Sequence, residues 1–199
     1  NFEEIMQRTI DYAEKAFKKS EDVIGLKTGL SDFDKKIGGL HKSDLIIIAG
    51  RPSMGKTAFA TNIASNISKE FEKNKNNKNV LFFSLEMSSE QLATRLLGEL
   101  SEISSENIRT GNLSKKDFSK ILSSSDDLKK LNLFIDDTPA LNIASIRTRA
   151  RRLKRKFGLD LIILDYLQLV NGESKKTNDN RVQEISEITR GLKAIAKEL

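Results

Sequence analysis

Residues 45–58 read Leu-Ile-Ile-Ile-Ala-Gly-Arg-Pro-Ser-Met-Gly-Lys-Thr-Ala, an apolar run followed at once by a complete G-x-x-x-x-G-K-S/T loop. The chemistry of a bound triphosphate accounts for each fixed position. Gly50 and Gly55 let backbone N–H groups approach phosphate oxygens, Lys56 reaches the β- and γ-phosphates, and the Thr57 hydroxyl ligates Mg²⁺. Such a loop should lie between a strand and a helix. Leu45 to Ala49 reads as a short buried strand, and Ala58, Ile63, Ala64 and Ile67 recur at helical spacing behind it. The helix N-terminus would add its own partial positive charge at the phosphates. Gly50, Arg51, Pro52, Ser53, Met54, Gly55, Lys56, Thr57 and Ala58 are therefore the expected nucleotide contacts, with a nucleoside triphosphate and Mg²⁺ as the expected ligands.

Working outward, apolar runs alternate with helical periodicity. Val80 to Ser84, Leu133 to Ile135 and Leu161 to Leu164 read as strands. Phe2, Met6, Thr9, Ala13 and Ala16 mark an amphipathic N-terminal helix. A short helix from Ser31 as N-cap to Ile37 should stop at Gly38-Gly39. Ser88 and Gln91 are placed for a capping box ahead of helical spacing that continues to Leu128. Asn142 caps a helix through Phe157, and Val182, Ile185, Ile188, Leu192 and Ile195 mark a last one. The polar stretches Glu72 to Asn79 and Asn171 to Asn180 read as an exposed loop and a mobile one. Alternating strands and helices predict an α/β fold: a mostly parallel twisted sheet with helices on both faces, preceded by an N-terminal helix. Residues 1–20 are expected to form that linker helix and 21–199 the main domain.

Composition narrows the function classes. The chain has 199 residues, formal charge +6 and no cysteine, which excludes a disulfide framework, a thiolate zinc site and a cysteine nucleophile. The single histidine, His41, reads as exposed turn filler. Glu3, Glu4 and Asp11 are unlike a signal peptide, and no apolar run approaches the ~18 residues of a membrane span. A cytoplasmic protein is expected. The basic excess permits a polyanionic partner without requiring one. The chain opens at Asn1 and closes at Leu199 within a helical pattern, so a piece of a longer protein is expected.

Ligands of parallel sheets bind at the carboxyl ends of the strands, and two carboxylates are placed there. Asp165 ends Leu161-Ile162-Ile163-Leu164, the position from which P-loop enzymes hold Mg²⁺; alone, the pattern favours a cap on the following turn, but with the P-loop upstream metal binding is expected. Glu86 follows the strand Val80 to Ser84. It is suited to orient and deprotonate an attacking water, and equally suited to complement the dipole of the helix beginning near Ser88. The basic cluster Arg147, Arg149, Arg151, Arg152, Lys154, Arg155 and Lys156 shares its segment with an apolar stripe and reads as a solvated helix face. The stretch with Lys175 and Lys176, next to Arg181, reads equally as a nucleic-acid-facing loop that would bond chiefly phosphates or as disordered filler.

Taken together, Thr28-Gly29, Phe33-Asp34, Gly38-Gly39-Leu40, the Gly50 to Thr57 loop, Phe83-Ser84-Leu85-Glu86-Met87, Asp165-Tyr166-Leu167-Gln168-Leu169 and Arg181-Val182-Gln183-Glu184-Ile185 resemble the bacterial DnaB-type replicative helicases over essentially the whole chain. The resemblance implies a RecA-like P-loop NTPase motor that hydrolyses ATP, moves along single-stranded DNA and unwinds the duplex at the replication fork as a homo-hexamer. It implies that Lys56 and Thr57 bind phosphate and Mg²⁺, that Glu86 activates water, with Lys56 the other catalytic residue, and that Asp165 supports the metal. Primase and a helicase loader are implied partners. The N-terminal helix is similar in position to the family's linker helix, which packs on the neighbouring subunit; packing on its own domain is the alternative. The family's γ-phosphate-sensing glutamine, DNA-contacting loops and arginine finger are expected beyond residue 199, so this motor fragment should be poorly active alone. Two other readings share the motifs: a RecA/RadA-type recombinase, and an assembly or loader-docking module that binds nucleotide without turnover.

Overall fold

A computed structural model describes residues 1–18, 23–73, 78–170 and 181–199. The chain divides into two compact units, Asn1–Lys42 and Ser43–Leu199.

The first unit holds helix α1 (Phe2–Lys18) and helix α2 (Ser31–Ile37). The apolar residues of α1, among them Phe2, Ile5, Met6, Ile10 and Phe17, are exposed. Ser31 is the first helical residue of α2 and not its cap; Leu30 stands at the N-cap with no side-chain bond. The local order comes instead from Asp34. Its buried carboxylate accepts from the Thr28 N–H at 2.9 Å, the Thr28 hydroxyl at 2.8 Å and the Gly29 N–H at 3.2 Å, which supplies the hydrogen bonds a buried charge requires. Gly38 ends α2 in the left-handed conformation at φ 74°. Leu26 and Leu40 then exchange backbone hydrogen bonds of 2.8 and 2.9 Å.

The second unit is built on three parallel strands: β1 (Val80–Ser84), β2 (Leu133–Asp136) and β3 (Leu161–Asp165), in the order β2-β1-β3. All five residues of the central strand are buried. Alternation along β1 sends Leu81 and Phe83 to one face, where they pack with Leu141, Ile146, Ala150, Val170, Ile188 and Ile195. Of these, Ile146 and Ala150 belong to α7 (Ile143–Phe157), and Ile188 and Ile195 to α8 (Arg181–Glu198). Val80 and Phe82 point to the opposite face, and α3 (Lys56–Lys73) lies against all three strands. Full burial of Phe82 and Phe83 stabilises the sheet by roughly 2–3 kcal/mol each. The expected parallel α/β architecture with both faces covered is thus present.

Between β1 and β2 the helical stretch divides into α4 (Ser89–Ser101), α5 (Ser105–Thr110) and α6 (Lys115–Leu128). Ser88 and Gln91 form the expected capping box on α4, while Ser104 and Ser114 cap the next two helices. Glu102 and Gly111, both left-handed, end α4 and α5. Asn142 caps α7, accepting from Ser145 N–H at 2.8 Å.

Three further expectations need correction. Residues 45–49 pair with no described strand, and Ile46, Ile47 and Ile48 are 44%, 60% and 47% exposed. β-branched residues favour extended backbone, but a strand is buried only where neighbours flank it, and no described strand bonds to this one. The polar run Glu72 to Asn79 is not uniformly exposed loop: α3 extends to Lys73, and Asn79 is buried, donating from its side chain to Phe157 O at 2.7 Å and from its backbone to Asp160 at 2.9 Å. His41 is half-buried beside Gly38 rather than an exposed turn residue. Asn171 to Asn180, with Lys175 and Lys176, lies outside the described residues.

Candidate nucleotide-binding site

The loop from Gly50 to Thr57 leads directly into α3. Ser53 and Gly55 have φ of 63° and 84°, and at Gly55 the left-handed backbone is the reason for glycine, because an added Cβ would meet nothing within 4 Å. Gly50 differs: a Cβ there would find only ordinary contact with Lys56 Cγ at 3.6 Å. The Lys56 ammonium donates to Gly50 O at 2.9 Å and Arg51 O at 3.1 Å, closing the loop on itself. The first bond of the helical ladder runs from Phe59 N–H to Gly55 O at 2.9 Å. The N–H groups of Lys56, Thr57 and Ala58 precede it, and the first turn of α3 carries no acidic side chain. An 18-residue helix with an uncompensated N-terminus suits a phosphate group.

The two carboxylates come from adjacent strands. Ser84 of β1 stands opposite Asp165 of β3, and Leu85 N–H donates to Asp165 O at 2.8 Å. Glu86 follows two residues after Ser84, so Glu86 and Asp165 share the carboxyl edge of the sheet. Asp165 is 7% exposed, and its carboxylate has no hydrogen bond or ion pair among the described residues. Nearly buried carboxylates without a protein partner suit a bound cation, directly or through water. α3, whose first residue is Lys56, lies against both of these strands.

Glu86 sits in a turn closed by the Ser84 hydroxyl, which donates to Met87 O at 2.8 Å. It is exposed and makes no hydrogen bond or ion pair among the described residues. The N-terminus of α4 is served by another residue, since Asp137 accepts the Ser89 N–H at 2.7 Å from 48 residues away. That bond holds the Asp137 carboxyl below the usual carboxylate range. Asp137 follows β2 in an Asp136-Asp137-Thr138 turn that sequence reasoning passed over; two consecutive acidic residues at a strand end were its signal. Asp136 in turn accepts from Arg149 at 2.6 Å, and the same nitrogen donates to the Thr138 hydroxyl at 2.8 Å.

Much of the basic face of α7 is bound within the chain. Besides Arg149, Arg151 bonds Glu198, Arg147 approaches Glu198 at 3.6 Å and Lys154 bonds the Leu199 carbonyl. Lys156 lies over the Phe157 ring at 4.7 Å. Among the described residues, no helix is long and apolar enough to cross a membrane.

This fold and loop define a RecA-like P-loop domain. Residues 25–199 match the family of DnaB-like helicase C-terminal domains, and the chain belongs to that family. It is 57% identical over 190 residues to the replicative DNA helicase DnaB of Rickettsia typhi, covering 93% of this chain and 38% of that protein. With DnaB of Geobacillus stearothermophilus it shares 44% identity over 199 residues, all of this chain and 42% of that protein. Among solved structures, one described as an ATPase domain superposes with TM-score 0.85 at 30% identity, covering 98% of this chain and 67% of that one. A DnaB-like replicative helicase described with its interactions with primase gives TM-score 0.83 at 30% identity over 96% of this chain and 45% of that one. The chain thus spans about two fifths of the length of these DnaB relatives (38% and 42%).

Proposed function

We propose that this chain is the motor domain of a replicative DNA helicase, hydrolysing ATP to move on single-stranded DNA and unwind duplex at the fork. Phosphoryl transfer to water needs little covalent chemistry from a protein; it needs placed charge and a placed water. In this reading Lys56 and the backbone N–H groups of the loop, Pro52 excepted, hold the triphosphate, and Glu86 orients and deprotonates the attacking water. Thr57 and Asp165 would hold Mg²⁺. When bound, Mg²⁺ supplies positive charge to the phosphate oxygens.

The observation that carries the reading is the register of β1 on β3. It brings Glu86 and the nearly buried Asp165, two carboxylates with no bonded partner among the described residues, to one sheet edge, and the helix that Lys56 begins packs on the same strands. Glu86, exposed and without a bonded partner among the described residues, also argues for turnover over nucleotide held only for assembly. The basic face of α7, largely bonded within the chain, is not required as a DNA surface.

The whole protein would act as a homo-hexamer in the cytoplasm, with primase and a helicase loader as partners. Residues 1–20 would be its linker helix, docking the exposed apolar face of α1 on a neighbouring subunit, and 21–199 the motor. The test is unwinding of a forked duplex by the full-length protein with ATP and Mg²⁺. Wild type should unwind and Lys56→Ala should not; unwinding by Lys56→Ala would overturn the assignment of the loop.

A further inference from the structure

Glu86 has no hydrogen bond of its own among the described residues, so whatever fixes it must act on its backbone. Three contacts do. On its N-terminal side, Leu85 N–H is held by Asp165 O at 2.8 Å. Across it, the Ser84 hydroxyl bonds Met87 O at 2.8 Å. On its C-terminal side, Asp137 holds Ser89 N–H at 2.7 Å.

The first two contacts come from strands β1 and β3. The third arrives from β2, and it is the one that ties the far end of the turn to the sheet. Asp137 is itself fixed, since the preceding Asp136 is bonded to Arg149 of α7, and Thr138 N–H closes the turn onto Asp136 at 3.1 Å. The path from Arg149 through the Asp136-Asp137-Thr138 turn to Ser89 is therefore continuous.

We propose that Asp137 is a positioning residue for hydrolysis: by gripping the first N–H of α4 it sets the Leu85–Ser88 turn, and with it the reach of Glu86 toward the attacking water. The inference rests on the reading of Glu86 as general base. Misplacing a catalytic group by about 1 Å can cost about 10²-fold in rate, without loss of ground-state binding made elsewhere.

The test is steady-state ATP hydrolysis by the full-length protein with Asp137→Ala and Asp137→Asn, nucleotide affinity being read with a fluorescent ATP analogue and folding by thermal melting. Asp137→Ala should lower kcat about 10- to 100-fold with KM for ATP and analogue affinity unchanged. Asp137→Asn, which keeps the accepting oxygen, should recover most of that loss. In a Glu86→Gln background, Asp137→Ala should cost nothing further, because the group it positions is gone.

Unchanged kcat in Asp137→Ala, equal losses in both Asp137 variants, a parallel fall in analogue affinity, or an additive loss in the Glu86→Gln background would each overturn the inference. If Glu86→Gln alone retains wild-type turnover, the reading of Glu86 fails. If Glu86→Gln is inactive while Asp137→Ala is not, only the positioning role fails.

Discussion

Ser84 of β1 and Asp165 of β3 are direct partners in the parallel register, and the bond from Leu85 N–H to Asp165 O at 2.8 Å carries the pairing one residue past the strand. This relationship aligns two distant chain segments so that each ends in a carboxylate at the same edge. A shift of one residue in the pairing of β3 would reverse the faces to which its side chains point.

Loss of the loop lysine should remove phosphate binding while leaving the fold intact, because among the described residues Lys56 bonds only the Gly50 and Arg51 carbonyls of its own loop. In the full-length protein, Lys56→Ala should reduce kcat/KM for ATP about 10²-fold or more. Circular dichroism should be unchanged, and steady-state hydrolysis measures the loss.

Acid should weaken the bond between β2 and α7. Burial raises the carboxyl pKa of Asp136, but hydrogen bonds from Arg149 and Thr138 outweigh it, and the net shift is downward. A depressed folded pKa contributes stability above the unfolded value of about 3.9 and loses it as pH falls through the folded one. The Arg149 side chain is 42% exposed, so solvent screening holds the contribution to about 1 kcal/mol. Arg149→Ala should therefore be destabilised by about that amount at pH ~7, and the gap to wild type should close below pH ~4. Urea unfolding across that range measures it; a gap independent of pH would count against the pair.

Glycine at position 98 is set by a close backbone approach. Alanine in a helix interior is ordinarily worth about 1 kcal/mol over glycine. Here the chain turns back after α4, and an added Cβ would lie 2.8 Å from the Ile103 carbonyl oxygen and 3.0 Å from Ser105 Oγ. Backbone cannot yield as a side chain does, and overpacking of this kind costs about 1–3 kcal/mol. Gly98→Ala should thus lower stability, and a higher melting temperature would contradict the packing.

Local signals were the ones readable from residue order. The P-loop, the capping box of Ser88 and Gln91, the cap at Asn142 and the apolar runs of β1 and β3 all lie within a few residues of what they control. The division into α4, α5 and α6 was less visible, because Ser104 and Ser114 are modest punctuation inside continuous helical spacing. What residue order concealed was pairing at a distance. Residues 45–49 have the composition of a buried strand, yet a partner edge decides pairing. The grip of Asp137 on Ser89 joins positions that nothing local relates, and it gives the N-terminus of α4 a carboxylate that residue order did not reveal.

The proposed mechanism stands on Glu86 as the group that activates water at a site where Lys56 binds phosphate. The direct measurement compares Glu86→Gln with wild type in the full-length protein, following ATP affinity and single-turnover hydrolysis in the same samples. ATP should bind as tightly as in wild type while hydrolysis slows about 10²- to 10⁴-fold. Single-turnover hydrolysis at the wild-type rate would contradict the mechanism.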